Sequence, residues 1–299
     1  MTRLMAFMLM GGLTACEKVV LDEENTNPEQ TQNTNNTSGK TEQDNGKYNV
    51  VLRVSNFNLV PITRDVVDLT TYCTRLNFVV YKDGEKVKGK SQRKEDGNFG
   101  EVKFLLDPDN TYKLMVLAHS SIGDNPTVSD PENIQFTNML GYSDTFCYYG
   151  DLEVKSEETI HEVTLTRVSS QLCFTITDEI PAEVTHMYFY YTGGSGVLNA
   201  VTGYGGNVNS RQEKNVNIVG YSAPLPIHIY TFLREDEGSL DVKAEARDSN
   251  KNVVMSRTFT DIPMKRNTVT VYKGSFFSHE QGFSIKGETE WSDTIRLTF

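Results

Sequence analysis

The chain has 299 residues, with 40 acidic against 29 basic side chains and a formal charge of −11 at neutral pH. That acid excess is a poor match to phosphate backbones and anionic headgroups, and it excludes nucleic acid as a partner. Hydrophobic residues make up 37% of the chain and only four residues are cysteines. The fold therefore rests on packed cores, not on a disulfide framework, and the length is sufficient for two of them.

The first residues carry one positive charge, Arg3, then the apolar run Leu4, Met5, Ala6, Phe7, Met8, Leu9 and Met10, then small residues before Cys16. The run is far shorter than the ~20 residues a helix needs to span a bilayer, so it reads as a removable signal. Leu13, Thr14, Ala15 and Cys16 resemble the bacterial lipobox, in which the peptide is cut before the cysteine and its thiol is diacylated. The other reading is an ordinary secretory signal cut near Ala15. With the lipobox, residues 1–15 are lost, Arg3 goes with them, and the formal charge moves from −11 to −12. Each buried methylene contributes about 0.8 kcal/mol, so two or three acyl chains on Cys16 fix the protein to a membrane. From 16 to 47 the sequence is rich in Asn, Thr, Gln, Glu and Ser, with almost nothing apolar after Leu21. Such a segment cannot offset its ordering entropy, and it reads as a disordered tether with about 30 Å of reach. Asp22, Glu23 and Glu24 weakly resemble surface-export signals of Bacteroidetes lipoproteins, and are equally well read as linker polarity.

The remainder predicts an all-β protein. Val50, Leu52 and Val54 alternate with Arg53 and Ser55. Leu76, Phe78 and Val80 follow the same period and lead into Asp83 and Gly84, a strong hairpin signal. Val102, Phe104 and Leu106 precede the polar turn 107–110, with Tyr112, Leu114, Val116 and Ala118 after it, which predicts a second hairpin. The alternation continues through Val163 and Leu165; Leu172, Phe174 and Ile176; Met187, Phe189 and Tyr191. It resumes in Ile227, Ile229 and Leu233; in Leu240, Val242, Ala244 and Ala246; in Val269 and Val271; and in Ile295, Leu297 and Phe299. A further hairpin is expected at Asp248, Ser249 and Asn250. Only short stretches such as 130–136 could hold a helical turn. Many short strands with one apolar face each predict two tandem antiparallel β-sandwiches, 48–163 and 164–299, with a seam near 157–167. No clear sequence repeat relates the two halves.

Chemistry-bearing patterns are sparse. The five histidines, His119, His161, His186, His228 and His279, are scattered, and each reads as a strand or surface residue, not a ligand. Gly193, Gly194, Ser195 and Gly196 do not make a nucleophile elbow, because Val197 stands where the second glycine belongs. Gly203, Tyr204, Gly205 and Gly206 lack the Lys-Ser/Thr of a phosphate loop. The stretch from Asp248 to Asn252 begins like a calcium loop, but Val253 and Phe259 occupy the positions of its glycine and its bidentate glutamate. No catalytic residue, cofactor site or metal site is expected. Cys73, Cys147 and Cys173 read as buried apolar thiols. Tyr188 and Tyr190, in an aromatic run from Met187 to Tyr191, suit either cross-strand packing or a glycan surface.

Leu165, Arg167, Val168 and Ser169, then Asp178 to Pro181, then Ile262, Pro263, Arg266, Asn267 and Thr270, and finally Gly274 and Phe276 resemble the pattern of the FimB/Mfa2 family of fimbrial anchor subunits. This family lies within the fimbrillin-like proteins of Bacteroidetes. The resemblance spans nearly the whole mature chain and is loose at each point. It implies two transthyretin-like sandwiches and a lipid-anchored outer-membrane protein at the cell surface. It also implies fimbrial subunits as partners, joined by strand exchange. Under that reading Ile295, Leu297 and Phe299 would be the buried anchors of an exchange strand over 294–299; equally, that strand could complete its own sandwich. Arg167 reads as a structural or interdomain arginine. The alternative function is a surface glycan-binding or adhesive lipoprotein outside any pilus.

Overall fold

The computed structural model describes residues 47–58, 68–206, 211–278 and 284–290. The signal, Cys16, nearly all of the tether and the run 294–299 lie outside these residues. The described chain is all-β. Its strands in order are β1 (Val50–Asn58), β2 (Arg75–Lys82), β3 (Glu85–Arg93), β4 (Glu101–Phe104), β5 (Thr111–His119), β6 (Ile134–Gln135), β7 (Thr145–Glu153) and β8 (Thr159–Arg167). They continue as β9 (Ser170–Ile176), β10 (His186–Thr192), β11 (Val197–Asn199), β12 (Tyr204–Gly205) and β13 (Gln212–Asn217). The last five are β14 (Leu225–Thr231), β15 (Glu237–Arg247), β16 (Val253–Lys265), β17 (Thr268–Gly274) and β18 (Ser284–Glu290).

Seven strands form one hydrogen-bonded sheet in the order β3-β2-β5-β7-β8-β1-β4. The sheet folds over at the β7–β8 corner, where only Phe146 with Arg167 and Cys147 with Thr166 are paired. Its two limbs close on a single core. Leu76, Phe78 and Val80 of β2 and Leu114 and Val116 of β5 pack with Val50, Leu52 and Val54 of β1 and Val163 and Leu165 of β8. The second sandwich has separate sheets, β13-β10-β15-β16 and β14-β9-β17-β18. Between them lies a core of Leu172, Phe174, Met187, Phe189, Ile227, Ile229, Val242, Ala244 and Phe276, among others.

The two sandwiches share one wiring plan. In the first, β1 pairs with β4 and β8, while β2 pairs with β3 and β5, and β5 with β7. In the second, β9 pairs with β14 and β17, while β10 pairs with β13 and β15, and β15 with β16. Among the described residues, β18 is the strand of the second unit's paired sheets with no counterpart in the first. In each unit the first strand runs parallel to the closing one, β1 to β8 and β9 to β17, so the sheets that contain these pairs are mixed, while β13-β10-β15-β16 is purely antiparallel. A parallel pair needs a long crossover, and here the rest of each unit supplies it.

The hairpin signals resolve differently. Asp83 (φ 53°) and Gly84 (φ 84°) both adopt left-handed backbone, as a type I′ turn requires, and β2 and β3 pair across them. β15 and β16 likewise pair around the turn at Asp248. The expected hairpin at 107–110 does not form, since β4 pairs with β1 and β5 with β2 and β7. That turn carries the chain from one layer of the sandwich to the other. An apolar alternation looks the same whether two strands are neighbours in a sheet or face each other across a core, which is why the pattern could not separate the cases.

A third apolar cluster joins the units. Val79 and Tyr81 of β2, Met115 and Leu117 of β5 and Cys147 of β7 are buried on the face turned away from the first core. They meet Ile134, Phe136, Val168, Leu198, Ala200 and Phe232. A small sheet, β12-β11-β6, runs across this seam, with Val197 opposite Gln135 and Leu198 opposite Ile134. The rings of Phe136 and Phe232 lie 5.3 Å apart. At the corner of the first sheet, Arg167 makes a two-pronged ion pair with Asp144, at 2.8 and 3.0 Å. Its guanidinium also stacks 4.6 Å from the centre of the Phe146 ring. The Ser169 hydroxyl donates to the same carboxylate and accepts the Thr145 N–H.

Two predictions follow from these buried polar groups. The Arg167 side chain is only 5% exposed and that of Asp144 14%, so truncating the arginine strands a carboxylate away from water. Arg167→Ala is expected to cost about 3–5 kcal/mol in chemical denaturation, with part of the loss recovered in Arg167→Gln combined with Asp144→Asn. The second concerns His119, which is fully buried. Its Nε2 lies 3.0 Å from Asn77 Oδ1, and its Nδ1 accepts the Ser121 N–H at 3.3 Å, which fixes the neutral Nε2–H tautomer. Burial, aided by the charge of Arg75, lowers its pKa from 6.5 to about 3. The unfolded chain therefore takes up a proton below pH 6.5 that the native state refuses. The contribution is complete above that pH and falls by ~1.4 kcal/mol per pH unit as the medium is acidified toward 3. Urea titrations from pH 7 to 4 should show a shallower decline for His119→Gln than for the parent chain.

Candidate interaction surfaces

In a protein built from sheets, the places able to take a partner are strand edges and exposed sheet faces. The expected exchange strand with Ile295, Leu297 and Phe299, and the lipidation residue Cys16, lie outside the described residues. The last described strand, β18, lies along β17 with Val269 opposite Thr289 and Tyr272 opposite Ile285, interrupted by a register shift between Thr270 and Tyr272. It covers the edge of β17. The corresponding edge of β8 is different: from 159 to 165 no described strand pairs with it on the side away from β1, and only Thr166 and Arg167 bond to β7. β3, the edge strand at the far end of the same sheet, is rich in lysine: Lys86, Lys88 and Lys90. Lys88 and Lys90 stand opposite Val80 and Phe78, on the side of the strand that faces the core. Charges aimed inward at a sheet margin oppose edge-to-edge pairing.

The outer face of β13-β10-β15 holds the aromatic pair flagged in the sequence. Tyr188 and Tyr190 stand two residues apart on β10 with ring centres 4.7 Å apart. Opposite them on β15 are Glu245 and Lys243. The Arg247 guanidinium stacks 4.0 Å from the Tyr188 ring and donates to the Tyr190 hydroxyl at 2.7 Å. Arg211 stacks 4.3 Å from the Tyr190 ring. The Tyr188 hydroxyl donates to Glu213 at 2.6 Å, and Lys243 pairs with Glu245 at 2.6 Å. Burial works to raise the Glu245 carboxyl, but hydrogen bonds from Lys243 and Arg247 outweigh it and hold the group below its usual range. Each ring thus has a guanidinium against it, and each carboxylate has its own cation. The arrangement suits cross-strand packing better than a flat, open platform for a sugar. The only sequence signal for the supporting charges is that Lys243, Glu245 and Arg247 alternate along one strand in the manner of an outward face.

Elsewhere the motif-like stretches are occupied by their own structure. Asp248 accepts the N–H groups of Asn250 and Asn252 and the Asn252 side-chain amide, so its carboxylate closes the hairpin. Ser195 is buried and its hydroxyl accepts the Val197 N–H. A Cβ at Gly194 would lie 1.9 Å from the Thr231 hydroxyl, and one at Gly193 2.0 Å from the Ser239 carbonyl. These glycines therefore let β10 leave its sheet tightly against β14 and β15. Cys73, Cys147 and Cys173 are buried. Burial pushes the thiols of Cys73 and Cys147 up to about 12, far from the thiolate form that reacts. Among the described residues no three His, Cys, Asp or Glu side chains are grouped to hold a metal ion, and no helix is long and apolar enough to cross a membrane.

The chain aligns with several solved structures at low identity. A candidate adhesin of Bacteroides ovatus aligns with a TM-score of 0.46 at 14% identity, over 73% of this chain and 84% of that one. A fimbrial assembly protein of Parabacteroides distasonis aligns at 0.40 and 12%, over 80% and 96%. The tip fimbrial protein Mfa3 of Porphyromonas gingivalis, truncated at its C terminus, aligns at 0.39 and 10%, over 81% and 99%. No curated protein sequence matches the chain. Residues 26–298 match the family of unknown function DUF6562, and because that match runs through both sandwiches and their seam, the protein belongs to this family.

Proposed function

We propose that this protein is a subunit of a type V fimbria, held to the outer membrane by lipid on Cys16 and joined to its neighbours by shared β-strands. In this reading residues 1–15 are removed, 16–47 space the sandwiches from the headgroups, and 294–299 contribute an extended strand with Ile295, Leu297 and Phe299 as its anchors. The observation that carries the proposal is the unequal treatment of equivalent edges in two sandwiches of the same wiring. β17 is covered by an added strand, whereas β8, on the side away from β1, has no described partner along 159–165. A row of unpaired N–H and C=O groups is a template for a strand from another chain. The lipobox and the family resemblance supply the cell-surface setting. An anchoring position at the base of the fibre is the specific role proposed.

The test is deletion of the gene with complementation by the parent chain, by Cys16→Ala, or by a chain ending at residue 293. Loss of the gene is expected to release fibres into the medium. The parent chain should restore attachment, and Cys16→Ala should yield a protein that no longer incorporates radiolabelled palmitate and leaves fibres shed. The shortened chain should remain folded and fail to retain them. Cells without the gene that keep their fibres attached would rule out the anchoring role.

A further inference from the structure

The chain leaves β17 at Gly274 and re-enters the sheet at Ser284 as β18. The start of that connection is held by one side chain. The Asp178 carboxylate, just past the end of β9, accepts three consecutive backbone N–H groups. Phe276 donates to Oδ1, and Phe277 and Ser278 to Oδ2, each at 2.7 Å. The Thr177 N–H bonds to the Gly274 carbonyl at 3.0 Å, so the β9–β17 ladder runs directly into this clasp. On the other side, Arg257 of β16 donates to the Ser278 carbonyl and lies 5.9 Å from the centre of the Phe276 ring. Phe276 itself is fully buried in the second core, against Phe174 and Phe277. Although partial burial works against ionisation of Asp178, the three N–H bonds lower its pKa.

We propose that Asp178 is a latch for β18: by clasping residues 276–278 it fixes the direction in which the chain leaves β17, and so holds the last described strand in register on an otherwise open edge. The first sandwich, with the same wiring, has neither the extra strand nor an equivalent clasp among the described residues. A strand that pairs on one side only among the described residues, through a ladder broken by a register shift, depends more on the chain leading into it than a central strand does. The latch touches backbone groups of the connection, while Phe276 holds the connection to the core by packing. Opening the latch therefore frees β18 and bares the edge of β17 without dismantling the sandwich. Asp178 acts here as a positioning residue.

Amide hydrogen exchange on the full chain tests this. Asp178→Ala removes all three acceptor bonds, and Asp178→Asn keeps one good acceptor oxygen while turning an amide NH2 toward the remaining N–H groups. Loss of charge-assisted bonds of this kind corresponds to about tenfold or more in a local opening equilibrium. Amides of 284–290 are thus expected to exchange about tenfold faster in Asp178→Ala and by an intermediate factor in Asp178→Asn, with β9, β10 and β15 at parent rates. Parent-like exchange of 284–290 in both variants would overturn the latch. Equal acceleration across all strands of the second sandwich would also overturn it, by making Asp178 a general core residue. Should Asp178→Ala fail to fold, Asp178→Asn decides by the same two criteria.

Discussion

Burial of the second face of β2 and β5 governs how the two halves of this molecule are joined. A sandwich of two sheets covers one face of each sheet and leaves the other to water. Here Val79, Tyr81, Met115 and Leu117 make that other face apolar too, and the second sandwich with the 120–144 connection closes over it. Tyr81 keeps its hydroxyl satisfied by donating to the Val128 carbonyl at 2.9 Å. Its burial raises the phenol pKa well above the usual value. Exposing these residues would cost on the order of 1.5–3 kcal/mol for each large side chain, which favours a joined arrangement over two sandwiches on a free hinge.

The polar groups around this seam work to the same end. Arg167 sits where the first sheet turns its corner and one residue before Val168 enters the shared cluster. Its ion pair with Asp144 spans the segments on either side of the corner, and the Ser169 hydroxyl ties the start of β9 to the same carboxylate. A buried pair of this kind contributes geometric definition more than net stability. His119 and Asn77 do the equivalent within the first sheet, as a neutral pair on adjacent strands.

The strand edges of this molecule differ in status. The inward-facing lysines of β3 discourage pairing at one margin, and β18 covers another. The edge of β8 lies beside the corner held by Arg167. The clasp at Asp178 stands at the other end of the molecule's wiring, where the second sandwich gains its extra strand.

The period-two apolar pattern determined that the chain is all-β, and it located the strands at Val50, Leu76, Leu114, Leu172, Met187 and Leu240. Asp83 with Gly84 determined a hairpin because few residues other than glycine and asparagine or aspartate adopt the required left-handed backbone. Which strands are neighbours was not legible. Val102 and Phe104 alternate as they would in a hairpin with Leu114 and Val116, yet they lie in the opposite layer. The common wiring of the two sandwiches left no trace in residue identities, because topology is fixed by which edges and faces meet and many side chains satisfy the same core. A structural or interdomain role for Arg167 was legible, but the partners of Asp178 and Arg167 were not, since they lie about 100 and 23 residues away in the sequence. Only the folded chain brings such groups together, and only there does excluding water from them decide what they are worth.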